Sequence, residues 1–389
     1  MKTHPGLESG PIYLDYNATT PVDPVVVEAM LPYLSTHFGN PSSSHSYGRA
    51  AHQAVDTARA QVARLLGCSP AEITFTGGGS ESDNLAIRGV ALARRSMGSH
   101  IITQVTEHPA VLNTCRALER LHGFRVTYLP VDGNGRVSPA AVETAIDGET
   151  VLITIMHANN ETGTLQPLRE IAEIAHRHGI LVHTDAAQSA GKIPTRVDEL
   201  GVDLLTVAGH KLYAPKGMGA LYVRHGLELE PVIYGGGQEA GRRAGTENVA
   251  SMVALGTACM LAHEQLAGSQ ERLQGLRDEL QRLLEAHVPA QVHVNGHATE
   301  RLPNTLNVSV EGVVGEEVLA ATPEIASSTG SACHEGSTDP SPVLMAMGLS
   351  RERALGALRL TLGRWSTDEE VGRAARLLAS SVASLRVKR

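Results

Sequence analysis

The sequence predicts an α/β fold: a large domain built on a mainly parallel seven-stranded sheet flanked by helices, followed by a smaller α+β domain. Three observations carry this expectation. Between residues 70 and 225, short apolar runs alternate with longer amphipathic ones, the pattern of buried strands and the helices that cover them. After residue 245 the character changes to long helical segments with only a few short strands. The 389 residues, 42% hydrophobic and 19% charged, have the composition of a soluble globular chain long enough to bury a large core.

The expected strands are the apolar runs at 73–75, 100–104, 125–129, 151–156, 180–183, 204–207 and 220–223, with helical patterns at 80–95, 109–121 and 168–178 between them. The stretch 246–267 reads as one apolar helix. A second, amphipathic helix is expected over 270–286, with Leu273, Leu276, Leu280, Leu283 and Leu284 on one stripe. Short strands at 291–294 and 305–310 and a last helix from about 368 to 385 complete the smaller unit, and an early helix is expected over 23–38. The boundaries expected are 16–262 for the large domain, with 1–15 and 263–389 forming the small one.

Several classes are excluded. A net charge of −8 with 3% aromatic residues argues against a nucleic-acid platform of basic stripes and stacking rings. The longest mostly apolar stretch, 249–262, is too short to cross a bilayer, and no apolar region follows the first lysine to suggest a signal peptide. Cys68, Cys115, Cys259 and Cys333 lie far apart with no CxxC pair, which suits a reducing cytoplasm rather than a disulfide framework or zinc knuckle. The 18 histidines form no HExxH motif, and no metal site is expected.

Chemistry gathers at the ends of the expected strands. The turn Thr76-Gly77-Gly78-Gly79-Ser80-Glu81 follows one strand and opens a helix, so its exposed amides and the helix dipole favour a phosphate, with Ser80 a candidate N-cap. Asp185 closes another strand, where a carboxylate either faces the ligand crevice or caps the following segment. Of the 33 basic residues only five are lysines: Lys2, Lys192, Lys211, Lys216 and Lys388. Lys2 and Lys388 are terminal, Lys216 sits in a Pro-Lys-Gly turn and Lys192 opens a polar-flanked segment. Lys211, at the end of the strand 204–207, is the best placed to form a Schiff base. A phosphate cup, a strand-end Asp and a strand-end Lys together match the needs of pyridoxal phosphate. Cys333 lies in the polar loop 327–337, whose neighbours offer no core, and a thiol so placed next to His334 is a candidate nucleophile.

The runs YLDYNATTPVDP (13–24), FGNPSS (38–43), TEHPAV (106–111), MHANNETG (156–163), HTDAAQSAGK (183–192), AGHKLYAPKGMGALYV (208–223), GGGQEAGRRAGTEN (235–248) and SSTGSACHEG (327–336) resemble the pyridoxal-phosphate cysteine desulfurases, and more narrowly their iron–sulfur-cluster-assembly branch. The resemblance runs from about residue 12 to 370. It implies the fold type I of the pyridoxal-phosphate aminotransferases, a homodimer, L-cysteine as substrate, and a sulfur acceptor or scaffold protein as partner.

Residue by residue, it implies that Lys211 tethers the cofactor, Asp185 pairs with its ring nitrogen, and His108 stacks on the ring and assists proton transfer. Asn160 and Gln188 would contact the ring oxygen or the substrate. Gly79, Ser80, Gly209 and His210 would hold the phosphate, with Thr246 reaching in from the partner subunit. Arg359, in ALRLTLG (357–363), would clamp the substrate carboxylate, and Cys333 would accept the sulfur. Two positions depart from the family's usual residues: Ser80, where threonine is common, and Ala208, where serine is; the second removes one hydroxyl from the phosphate cup. The tail, ending Leu385-Arg386-Val387-Lys388-Arg389, does not resemble the tail that docks a scaffold in close relatives. His334 and the PSPVL segment (340–344) also resemble the selenocysteine lyases, which leaves selenocysteine as an alternative substrate, and a same-fold aminotransferase or lyase with an incidental cysteine as a second alternative.

Overall fold

The computed structural model describes residues 4–330 and 339–387. Strand β1 (Ile12–Tyr13) comes first, and the large sheet follows from β2 (Ile73–Thr76), β3 (His100–Gln104), β4 (Arg125–Leu129), β5 (Thr150–Thr154), β6 (Leu181–Asp185), β7 (Leu204–Ala208) and β8 (Gly219–Val223). The order across this sheet is β2-β8-β7-β6-β5-β3-β4. Only β8 runs antiparallel to its neighbours β2 and β7. All residues of β3, β5, β6 and β7 are buried, as expected of parallel strands covered on both faces. Adjacent residues serve opposite cores: Ile102, Ile153, Val182 and Leu205 pack on one side of the sheet, and Ile101, Leu152, Leu181 and Leu204 on the other.

A three-stranded antiparallel sheet is formed by β9 (Val292–Val294), β10 (Thr305–Val310) and, after β11 (Ile325–Ala326), β12 (Ala357–Thr361), with β10 in the middle. Its core takes Leu306, Leu358 and Leu360 together with Leu276 and Leu280 and, from the last helix Asp368–Val387, Val371 and Leu378. Ile12 and Leu14 join this core rather than the large one, because β1 pairs with β11 in parallel.

Three local expectations are corrected. The two helices expected over 246–267 and 270–286 are one 39-residue helix, Val249–His287. Gly268 and Ser269 suggest a break in sequence, but Gly268 has nothing near its missing side chain, so the helix runs through at a propensity cost of about 1 kcal/mol. The first part of that helix packs into the large core through Met252, Leu255 and Cys259, and its later turns into the small one through Leu273, Leu276 and Leu280. The early helix is two short ones, Pro24–Met30 and Pro32–Ser35, divided where Pro32 starts a new turn. Finally, Gly78 and not Ser80 occupies the N-cap of helix Gly79–Ala93, its φ of 137° lying where glycine is favoured.

Candidate active site

The parallel strands of the large sheet end on one edge, where they open on a cavity of about 660 Å³. This is where ligands bind in open α/β sheets. Nine of the residues singled out from sequence line it: Gly79, Ser80, His108, Asn160, Asp185, Gln188, His210, Lys211 and Arg359. Gly209 lies beneath the wall, where its N–H bonds the Met218 carbonyl at 2.9 Å and a Cβ would stand 2.7 Å from that same oxygen. Thr246 is not brought to this cavity; it lies in a separate groove beside Tyr33 and Phe38. Cys333 lies outside the described residues.

The turn after β2 is a cradle of backbone. The first N–H groups of helix Gly79–Ala93 lack a preceding helical turn to accept them, so they are available to an anion. A Cβ on Gly77 would fall 2.5 Å from Glu81 Oε2, whose carboxylate turns back to accept from Arg243 Nε on Oε1 at 2.9 Å. Ala208 packs against the same turn, and a Cβ on Gly79 would sit 3.1 Å from its methyl.

Lys211 follows β7 on a single 3-10 turn, Gly209–Lys211. Its Nζ donates to the carbonyl of Ala18 at 2.7 Å and also to that of Asn17. Asp185, at the end of the adjacent strand β6, accepts the Ala187 N–H at 2.8 Å, so it caps a turn and not a helix. Burial pushes its carboxyl up, opposed by His108, the Ala187 N–H and Lys211. Donor atoms of Asp83, His108 and Asp185 lie within 4.8 Å of one another.

Two carboxyls this close cannot both ionise in a buried site. Asp83 is fully enclosed, burial and Asp185 push it well up, and its Oδ1 has no hydrogen-bond partner. The nearest histidine, His183, has its Nε2 3.7 Å from that Oδ1 and is pushed down to about 3 by burial, so it supplies no charge. Asp185 has three partners that favour its ionised form, the Ala187 N–H, His108 and Lys211, against the Thr206 hydroxyl for Asp83, so of the two Asp83 is the better suited to keep a proton. His108 caps helix Pro109–His122 by accepting the Ala110 N–H at Nδ1, 3.1 Å away, and burial lowers its pKa; the neutral ring thus carries its proton on Nε2. His210 bonds Thr19 Oγ1 at 3.2 Å and is pushed down to about 4 by burial and by Lys211.

Arg359 enters from β12 on the small sheet. Its guanidinium donates to Asp15 Oδ1 at 2.8 Å and to the Asn160 carbonyl at 3.2 Å, while its buried Nε has no partner.

Four further residues in or next to the site are not signalled by the sequence. Asp15 and Asn17 approach the site only through contacts spanning hundreds of residues, and Asp83 looks like an ordinary helix residue. Lys192, read as polar-flanked, is buried, with Nζ 3.1 Å from Gln188 Oε1. It stands four residues after Gln188, on the turn that leaves β6, where the sequence carries no sign that it is buried.

Residues 12–373 match the family model described as Aminotransferase class-V, and the chain belongs to that family. Within it, the chain belongs to the cysteine desulfurases. It is 49% identical over 383 residues to the cysteine desulfurase IscS of Methanosarcina thermophila, covering 97% of this chain and 94% of that one. A solved structure titled as a NifS-like protein superposes with a TM-score of 0.89 at 37% identity, over 97% of this chain and all of the other. Another, titled as SspA in complex with cysteine, has a TM-score of 0.81 at 42% identity, over 91% of this chain and 99% of its own.

Proposed function

We propose that the protein is a pyridoxal 5′-phosphate-dependent cysteine desulfurase, which converts L-cysteine to L-alanine and takes the sulfur onto Cys333 as a persulfide for delivery to an acceptor. The observation that supports this most is that the turn 77–80 after β2, Asp185 and Lys211 from the adjacent strands β6 and β7, and Arg359 from the small sheet all line one cavity. The residues fit the cofactor: a backbone anion cradle suits its phosphate, a buried carboxylate its ring nitrogen, and a strand-end amine its aldehyde. Arg359 lines the cavity with its guanidinium anchored by Asp15 and the Asn160 carbonyl, a fixed fork that suits a substrate carboxylate.

When bound, the cofactor supplies an electron sink for bonds at the substrate α-carbon. Asp185 keeps the ring nitrogen protonated. Arg359 binds the carboxylate and so fixes which Cα bond faces Lys211 Nζ, the amine that carries the α-proton away. Gln188 and Asn160 offer hydrogen bonds to the ring oxygen or the substrate, and His108 Nε2–H stands beside Asp185 ready to move a proton. The Cys333 thiolate attacks the substrate sulfur: a sulfur–sulfur bond forms, the Cβ–Sγ bond breaks with its electron pair left on carbon, and protonation at Cβ, followed by return of the α-proton from Lys211 Nζ, yields alanine.

The finer assignments belong to the same reading. Residues 16–262 form the large domain, and 1–15 with 263–389 the small one, supported by the two separate cores. A homodimer would bring Thr246 to the phosphate of the other subunit's site, consistent with its place in a different groove beside exposed Phe38. Among the described residues no helix is long and apolar enough to cross a membrane. The resemblance supports service to iron–sulfur assembly, and the scattered cysteines support a reducing cytoplasm. The test is to incubate the cofactor-loaded protein with L-cysteine and measure alanine and protein persulfide. Cys333→Ser is expected to keep the cofactor and lose the persulfide; full persulfide formation in that variant, or turnover of selenocysteine alone, overturns the reading.

A further inference from the structure

Lys192 is an unusual lysine. It is buried, and no carboxylate among the described residues lies within ion-pairing distance of its Nζ. The charged groups that bear on it are both cations, Lys211 from the turn after β7 and Arg359 from β12. What it has instead is two amide oxygens: Gln188 Oε1 at 3.1 Å and Asn17 Oδ1 at 3.4 Å. A neutral amine has two N–H groups, which matches two acceptors; an ammonium would bring a third proton and an unpaired buried charge.

Gln188 and Asn17 also connect to Lys211, through the Asn17 backbone carbonyl. Gln188 Nε2 donates to the Asn17 carbonyl at 3.0 Å, and that carbonyl also accepts from Lys211. Asn17 is held by Asn304 Nδ2 at 3.1 Å on its Oδ1, and its Nδ2 donates to Thr305 Oγ1 at 2.9 Å. With Oε1 turned to Lys192 and one amide hydrogen given to Asn17, the second Nε2 hydrogen is the group Gln188 has left for the cavity it lines.

We propose that Lys192 is a positioning residue: as a neutral double donor it locks the amides of Gln188 and Asn17 so that Gln188 presents an N–H, and not its oxygen, to the bound cofactor. Burial and the two neighbouring cations push Lys192 down to about 7, so the neutral form is available at ordinary pH.

This inference rests on the cofactor reading, and the experiment separates the two. The visible absorbance of bound pyridoxal phosphate is titrated with pH in the wild type, Lys192→Met, Lys192→Gln and Lys192→Arg, with unfolding temperature recorded alongside. Lys192→Met, which removes both donors, is expected to displace the spectral midpoint by about half to one pH unit, the effect of one lost hydrogen bond. Lys192→Gln, a neutral donor, is expected to restore the midpoint at least in part, and Lys192→Arg, which cannot shed its charge, is expected not to. A Lys192→Met midpoint equal to wild type overturns the inference, as does restoration by Arg and not by Gln. If Lys192→Met fails to fold, the Gln and Arg variants decide by the same contrast. A wild type that binds no pyridoxal phosphate removes the cofactor reading and this inference with it.

Discussion

Arg359 Nη2 donates to Asp15 Oδ1 at 2.8 Å, a bond between residues 344 positions apart that ties the segment after the first strand to the last strand. Asp15 lies just after β1 and Arg359 in the middle of β12, so the pair fixes the guanidinium at the cavity wall while leaving Nε unpartnered. Loss of a charge-assisted bond to the substrate carboxylate costs about 2 kcal/mol, or about 30-fold in kcat/KM. Arg359→Ala is expected to show that loss in steady-state kinetics while cofactor absorbance stays unchanged. An unaltered kcat/KM contradicts the assignment.

The two carboxyls at the site are expected to respond differently to neutralisation. Asp83 is the carboxyl better suited to keep a proton, so Asp83→Asn is a near-isosteric change and should keep turnover within about threefold. Asp185 carries the charge, and Asp185→Ala should cost about two orders of magnitude in kcat. Comparable losses in both variants, measured as alanine released, would place the charge on the wrong residue.

Glu107 offers a pH-dependent test of stability. Burial pushes its carboxyl up to about 8, although Oε1 accepts the Met156 N–H at 2.7 Å and the Gln104 amide at 2.9 Å. A pKa raised above the unfolded value means stability that is full below about 4.5 and lost as pH rises toward 8. Glu107→Gln removes that loss. The variant should therefore be more stable than wild type at pH 8 by on the order of 3 kcal/mol, with the difference vanishing near pH 4.5. Unfolding midpoints across that range check it, and a difference that grows toward acid contradicts it.

What was legible in the sequence follows the sheet. Each parallel strand is a short apolar run bounded by turn residues, so its carboxyl end can be located, and Gly79, Asp185 and Lys211 fall at such ends. Arg359 and His108 were reached through the family motifs, because nothing in their own neighbourhoods points to a shared cavity. Lys192 and Asp83 were not legible as site residues. A lysine after a Gly and an aspartate in a helix are usually solvated, and only tertiary packing turns these two inward. The long helix was misread for the opposite reason: Gly268 weakens it locally, while packing into two cores holds it together.

In the proposed reaction one strand-end lysine and one cysteine act in sequence on the same substrate. This is tested most directly by mass spectrometry of the cofactor-loaded protein after a single addition of L-cysteine, with alanine quantified in the same sample. One sulfur atom added at Cys333 for each alanine released, and neither product from Lys211→Ala, is the expected result. Alanine formed without sulfur on Cys333, or sulfur acquired equally by Lys211→Ala, contradicts the account.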